Sequence, residues 1–120
     1  MRILILLLSA MAIANAQKPK ASTVNYYRDI EPILNANCVS CHRAGMAAGG
    51  LMLDAPESLL QGGASGPSVV PGKAQRSLLY TRLTDTTAKR MPPSGMVTEE
   101  QLALIRAWIN LGTKVDPAKR

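Results

Sequence analysis

The sequence predicts an all-α fold of about four short helices joined by long loops. Apolar residues recur at helical spacing in four separate segments, and no stretch alternates convincingly as a strand would. Nine glycines and eight prolines in 120 residues indicate that much of the chain is loop. With no phenylalanine, one tryptophan and three tyrosines, the chain alone can build only a thin core. A buried apolar group is therefore expected to complete that core.

Proline and residues typical of helix ends predict the positions of the first two helices. The first is expected to run from about Ile30 to the cysteine motif, with Pro32 in its first turn because proline is tolerated there. The second is expected at residues 55–61, with Asp54 as its N-cap and Gly62 at its end.

The third helix is expected at residues 74–84 and the fourth at residues 98–111. Thr98 and Gln101 have the spacing of a capping box, and Gly112 follows the fourth helix as its stop. The core face of the third helix is expected to comprise Leu78, Leu79 and Leu83, flanked by Tyr80 and Arg82.

Cys38, Cys41 and His42 form the pattern C-x-x-C-H, which is the signature of covalent haem attachment. Two cysteines at this spacing lie on nearly the same side of a helical turn, so both thiols can meet one edge of a planar ring. His42 then directs its imidazole toward the iron at the centre of the ring. The sequence therefore predicts one covalent haem c, attached through the cysteines and ligated by His42.

Other uses of a cysteine pair fit the chain less well. A disulfide remains an alternative for an exported protein. A redox dithiol would need a βαβ context, which the pattern of segments does not provide. A structural zinc site needs about four nitrogen or sulfur ligands, whereas the chain has two cysteines and one histidine.

Residues 1–16 have the features of a cleaved secretory signal peptide. Arg2 is followed by an apolar run of about a dozen residues, which is short for a membrane span, and then by Ala14-Asn15-Ala16 before Gln17. An uncleaved anchor is the alternative. Cleavage between Ala16 and Gln17 predicts a periplasmic or otherwise exported protein with no stable membrane span.

The mature chain is predicted to have a flexible segment at 17–24, a haem domain at 25–113 and a polar, frayed tail at 114–120. Removing Arg2 with the signal peptide lowers the formal charge from +6 to +5. No basic stripe is interleaved with aromatic residues, which argues against nucleic-acid binding. A mildly basic surface favours acidic protein partners.

The sixth iron ligand cannot be a second histidine, because the chain contains one. Methionine, lysine, another donor, water or an empty position remain. Met91 is favoured because two prolines follow it and restrict its backbone, and Met96 is the second choice. Met46 lies too close to His42 in sequence, and Met52 stands within an apolar triplet typical of core.

Several segments together resemble the Planctomycete-type cytochrome c domain, a branch of the class I cytochrome c family. They read DIEPILNANCVSCH, GGLMLD, SGPSVVPGK, SLLYTRL, MPPSG and AWINLG, and the resemblance extends over residues 26–112. It implies a cytochrome c-like fold around one haem, held by Cys38 and Cys41, with His42 as proximal and Met91 as distal ligand. It also implies that the N-terminal helix crosses the helix that carries Trp108.

These observations predict an exported monohaem cytochrome that carries single electrons and is not an enzyme. Its partner is expected to be a redox protein, such as a separate periplasmic dehydrogenase or oxidase. The alternative is a haem enzyme or small-ligand sensor whose sixth site is open or displaceable.

Three further expectations concern the surroundings of the haem. The glycines at 62–73 are expected to approach the haem edge or another helix closely. Trp108 is expected to pack against the haem. A basic rim is expected from Arg43, Lys73, Lys89 and Arg90.

Overall fold

A computed structural model describes residues 24–120, so the predicted signal peptide and most of the segment at 17–24 lie outside the described residues. In this part of the chain there are four α-helices, α1 (Glu31–Asn37), α2 (Pro56–Gln61), α3 (Leu78–Leu83) and α4 (Glu99–Asn110). Between α1 and α2 lies an antiparallel hairpin of two strands, β1 (His42–Arg43) and β2 (Met46–Ala47). The prediction of four short helices is confirmed, but the small sheet means that the fold is not purely all-α.

Helical structure begins earlier than predicted, at a π-helical turn over Tyr26–Ile30 that leads directly into α1. The side chain of Asn25 caps this turn by accepting the backbone N–H of Arg28 at 2.8 Å. Pro32 lies in the first turn of α1, as predicted. Because proline has no N–H and its ring crowds the preceding turn, the α-helical hydrogen bonds cannot continue backward through it. The wider π turn takes their place.

The segment after His42 folds back as a hairpin, although no strand was predicted. His42 stands opposite Ala47, and Arg43 stands opposite Met46. Gly45 closes the turn with a φ of 82°, a left-handed conformation that glycine adopts without strain. Strands of two residues are too short to produce an alternating pattern, which is why the sequence did not predict them.

Asp54 does not cap α2, contrary to its predicted role. The N-cap is Ala55, whose side chain makes no capping bond, while the carboxylate of Asp54 accepts the backbone N–H of Ala44 at 3.0 Å. Pro56 occupies the first turn and Gly62 ends the helix, as predicted. Asp54 therefore joins the start of α2 to the turn of the hairpin, a partner that local sequence does not reveal.

The third helix is shorter than predicted because Ser77 interrupts it. A 3₁₀ turn at Ala74–Arg76 ends at Ser77, whose backbone is extended with φ −93° and ψ 121°. The buried hydroxyl of Ser77 accepts the N–H of Val70 at 2.8 Å and donates to the carbonyl of Lys73 at 2.9 Å. These bonds favour the extended backbone, so α3 begins only after Ser77.

The last helix, α4, starts at the predicted capping box. The hydroxyl of Thr98 accepts the N–H of Gln101 at 3.1 Å, and the side chain of Gln101 accepts the N–H of Thr98 at 2.9 Å. Gly112 follows the end of the helix. One face of α4 is buried and carries Ile105, Trp108 and Ile109.

The core includes the contact between the N-terminal helical segment and α4. The ring centroids of Tyr26 and Trp108 are 5.4 Å apart, and both side chains are buried. The contact implied between the N-terminal helix and the helix of Trp108 is therefore present. Tyr80 was expected on a flank of its helix and is instead buried. The remaining buried apolar residues are Ile30, Ile33, Leu34, Leu53, Leu59, Val69, Ala74, Leu79, Ile105 and Ile109.

The C-terminal tail packs against the domain, although it was expected to fray. The indole N–H of Trp108 donates to the carbonyl of Lys114 at 2.9 Å. A 3₁₀ turn at Pro117–Lys119 follows, and the side-chain amide of Asn25 donates to the carbonyl of Lys119 at 3.5 Å. The polar composition of the tail did not predict these contacts, because the tail makes them through its backbone carbonyls.

We predict that the Tyr26 phenol makes the protein less stable at high pH. Burial, with a smaller contribution from the charge of Glu31, raises the pKa of Tyr26 from 10.0 to about 12. The folded state then disfavours ionisation, so its stability is unaffected below pH 10 and falls as the pH rises from 10 to 12. The loss is about 1.4 kcal/mol per pH unit across that interval.

Urea unfolding at a series of pH values tests this prediction. Tyr26→Phe is expected to lose less stability than the wild type between pH 10 and 12, because phenylalanine does not ionise. The matched control is Tyr27→Phe, which retains Tyr26 and should follow the wild type. Equal losses in all three proteins would contradict the prediction.

Candidate functional site

A cavity of about 770 Å³ opens between the cysteine motif, the glycine-rich loop and the segment after α3. Cys38, Cys41, His42 and Met91 all line it, although they come from distant parts of the sequence. Its volume is typical of a cleft that takes a small molecule or cofactor. Much of the rest of its wall is apolar and includes Leu51, Leu53, Leu78, Leu79, Leu83, Pro92 and Pro93.

The cysteine motif is positioned by the end of α1. The N–H of Cys38 donates to the carbonyl of Leu34 at 2.8 Å and so completes the last turn of the helix. The carbonyl of Cys38 then accepts the N–H groups of Cys41 at 3.2 Å and His42 at 3.0 Å. This compact turn brings both thiols and the imidazole to the same cavity.

The two thiols are free and differ in their surroundings. Cys38 is half-buried and Cys41 is exposed. Burial raises the pKa of the Cys38 thiol to about 11. Cys38 is therefore expected to be protonated near neutral pH, and a protonated thiol is a weak nucleophile. The cavity thus presents two free thiols.

The imidazole of His42 is oriented by a backbone carbonyl. Its Nδ1 lies 3.3 Å from the carbonyl oxygen of Leu51, and a carbonyl can only accept a hydrogen bond. The proton therefore belongs on Nδ1, which leaves the lone pair on Nε2. The main chain adds a second restraint, because the N–H of Leu53 donates to the carbonyl of His42 at 2.8 Å. A metal-ligating histidine commonly has its other ring nitrogen bonded in this way.

Two of the four candidate methionines line the cavity. They are Met91, which is 37% exposed, and Met96, which is 73% exposed, whereas Met46 and Met52 do not line it. The N–H of Met91 donates to the carbonyl of Arg82 at 2.9 Å, so the end of α3 holds the backbone of Met91. This anchor and the lower exposure favour Met91 over Met96 as an iron ligand.

The glycine-rich loop forms another part of the cavity wall. A Cβ on Gly63 would lie 2.7 Å from the carbonyl oxygen of Gly49, and the N–H of Ala64 donates to that oxygen at 2.8 Å. The predicted close approach is therefore present: Gly63 lies against the 3₁₀ turn at Ala48–Gly50, and the N–H of Gly72 donates to the carbonyl of Ile109 in α4 at 2.7 Å. Gly63 and Gly66 line the cavity, so a close approach to the haem edge stays a prediction.

The cationic residues around the cavity differ from the predicted rim. Of the four predicted residues only Lys89 lines it, and Arg82, which was placed on a flank of its helix, lines it as well. Arg82 stands four residues after the lining residue Leu78, and that spacing puts both on one helical face. The sequence therefore contained the spacing that places Arg82 on the same helical face as Leu78. The predicted residues that do not line the cavity are Arg43, Lys73 and Arg90.

Trp108 packs away from the cavity, contrary to expectation. Its ring contacts Tyr26 and its N–H bonds the carbonyl of Lys114, and it is not among the lining residues. Helical spacing showed that Trp108 is buried but could not show which neighbours bury it.

Comparison with known proteins relates part of the chain to a protein family. The family model of Planctomycete cytochrome C matches residues 38–95. The matched segment includes the cysteine motif and Met91, and it ends one residue before Met96. It is shorter than the resemblance at residues 26–112 and leaves out α1 and α4. No curated protein and no solved structure matches the chain significantly.

The residues of the cavity fit a haem c. Two thiols, one imidazole with its lone pair on Nε2 and one thioether are the groups that such a haem requires. The apolar side chains of the wall suit the face of a porphyrin, and the two cations suit its carboxylates.

Proposed function

We propose, from the match of the Planctomycete cytochrome C family model to residues 38–95, that the protein is an exported electron carrier with one covalent haem c. The observation that carries the proposal is the single cavity lined by Cys38, Cys41, His42 and Met91. When bound, haem c supplies a one-electron couple between ferric and ferrous iron. The chain's own residues attach, ligate and shield that group.

Cys38 and Cys41 hold the haem in this proposal through two thioether bonds to its vinyl groups. Their free thiols and their position on one compact turn support this role. Attachment at two points restricts the orientation of the ring in the cavity. His42 follows Cys41 directly, and its Nε2 would be the nitrogen that ligates the iron.

His42 and Met91 are the proposed axial ligands. The carbonyl of Leu51 keeps the proton on Nδ1 and makes Nε2 the donor atom. The hydrogen bond from Met91 to Arg82 and the two prolines after Met91 limit the freedom of the loop. A thioether is a weak ligand, so a loop that is already ordered gives up less entropy on ligation. Two ligands whose positions are already fixed by the fold suit electron transfer, because neither needs to move.

We propose that the protein is not an enzyme. The lining side chains include no carboxylate among the described residues, and the one imidazole, that of His42, would be bound to iron. One observation favours the alternative of a haem enzyme or small-ligand sensor. Met91 is 37% exposed, so its ligation could be displaced by an incoming molecule.

Export and a redox partner complete the proposal. The leader at residues 1–16 predicts a mature N-terminus at Gln17, which N-terminal sequencing of the secreted protein can check. The partner is proposed to be a separate periplasmic dehydrogenase or oxidase. The formal charge of +5 that remains after removal of residues 1–16 supports an acidic docking face on that partner.

Expression with the cytochrome c maturation system tests the proposed function. The wild type is expected to keep its haem after denaturation and to give a low-spin spectrum that titrates with one electron. Cys38→Ala/Cys41→Ala is expected to lose all haem on denaturation. The matched control is Ser40→Ala, which alters the same motif but leaves both thiols and should behave as the wild type.

Two other results would change the conclusion. If the haem is covalent but the wild type is high-spin and binds carbon monoxide readily, the open-site alternative replaces the electron carrier. If no haem is attached to the wild type, Cys38 and Cys41 have a structural role and the proposal is wrong.

A further inference from the structure

Arg82 and Lys89 are the two permanently cationic side chains that line the cavity, and no acidic side chain lines it within residues 24–120. Arg82 is half-buried at the end of α3, and Lys89 is exposed on the turn that follows. Neither side chain forms a hydrogen bond or an ion pair with a described residue. A cation that faces a cavity without a protein partner favours an anionic ligand there.

The nearest acid does not neutralise this pair. Asp85 accepts the hydroxyl of Thr87 at 2.5 Å and its N–H at 2.7 Å. These bonds, together with weaker attraction from Arg82 and Lys89, lower the pKa of the Asp85 carboxyl. Asp85 is thus held within its own turn, and it makes no direct ion pair with either cation. Both cations remain available to a ligand.

We propose that Arg82 and Lys89 bind the two propionate carboxylates of the haem, an inference that rests on the proposed function. The guanidinium of Arg82 can donate two parallel hydrogen bonds to one carboxylate, and Lys89 provides a compact charge for the other. Haem carries its vinyl and propionate groups at different edges of the ring. The cysteines follow α1, whereas the cations lie on and after α3, so the two kinds of group reach the cavity from different segments of the chain.

Arg82 would also connect the propionate to the sixth ligand. Its side chain lines the cavity, while its carbonyl accepts the N–H of Met91 at 2.9 Å. One residue therefore positions both a propionate and the methionine loop. A cation beside the haem stabilises the ferrous form, which is the more negative of the two states, and so raises the reduction potential.

The test uses the full chain with its haem attached and compares Arg82→Gln, Arg82→Lys and Lys89→Gln with the wild type. Resonance Raman spectra report the propionate bending bands, and spectroelectrochemistry gives the potential. Arg82→Gln is expected to shift the bands and lower the potential, and Arg82→Lys to restore most of the potential. Lys89→Gln is expected to shift the bands as well. The matched control is Arg76→Gln, which is exposed and outside the cavity and should change neither quantity.

Wild-type propionate bands and potential in both Arg82→Gln and Lys89→Gln would overturn the assignment. If Arg82→Gln attaches no haem, the propionate bands of Arg82→Lys and Lys89→Gln are compared with those of the wild type instead. Unchanged bands in both variants would overturn the assignment. Failure of the proposed function is distinguishable, because the wild type itself would then carry no haem.

Discussion

Replacing Met91, the proposed sixth iron ligand, with alanine is expected to convert the low-spin haem to a high-spin form. Alanine has no donor atom, so water or an open position replaces the thioether. The far-red band from thioether to ferric iron should disappear, and carbon monoxide should bind the reduced protein readily. The reduction potential should fall on the order of 0.1 V, within the ~0.8 V span that axial ligands set.

Met96→Ala is the matched control, because Met96 also lines the cavity and lies on the same loop. It is expected to keep the far-red band and the wild-type potential. The Met91 assignment fails if the band survives in Met91→Ala and is lost in Met96→Ala. Absorption spectra of the two matured variants, recorded side by side, decide between these results.

Replacing Gly62 with alanine is expected to destabilise the domain by at least ~3 kcal/mol. Gly62 has φ 78° and ψ −160°, a region that is essentially restricted to glycine, where other residues are strained by about 1–3 kcal/mol. An added Cβ would also overlap the carbonyl oxygen of Gly66 and lie 2.7 Å from the Cα of Pro67. Both neighbours are backbone atoms and cannot rotate away. Reduced yield of haem-containing protein and a lower urea midpoint are the expected measurements.

Gly72→Ala separates backbone strain from overlap. Gly72 has a φ of 81°, but an added Cβ there would meet nothing within 4 Å. The substitution should cost about 1–2 kcal/mol from strain alone. If the two variants have the same urea midpoint, the close packing at Gly62 does not contribute and the prediction is wrong.

Local signals predicted the ends of the helices better than their interruptions. Pro32 and the capping box of Thr98 act within one turn, so their roles could be read directly from the sequence. The break at Ser77 depends on Val70, which lies 7 residues away. The role of Asp54 depends on Ala44, which lies 10 residues away. Bonds of this kind leave no periodic pattern in a single sequence.

The part of the candidate site that depends on particular residue types could be predicted from the sequence. Cys38, Cys41 and His42 were identified by their spacing, and Met91 by the prolines that follow it. Their meeting in one cavity depends on the whole fold, and so does the exclusion of Trp108 from that cavity. The carbonyl of Leu51 could not be found from sequence, because every residue carries such a group.

The hydrogen bond between Asn25 and Lys119 joins positions 94 residues apart and brings the two ends of the domain side by side. A unit whose ends meet can be grafted into a surface loop of another protein through two short linkers. It also tolerates circular permutation more readily, with the new ends at an exposed tip such as the Ala44–Gly45 turn. With the proposed haem attached, this geometry would make the domain a portable redox module for engineered electron-transfer chains.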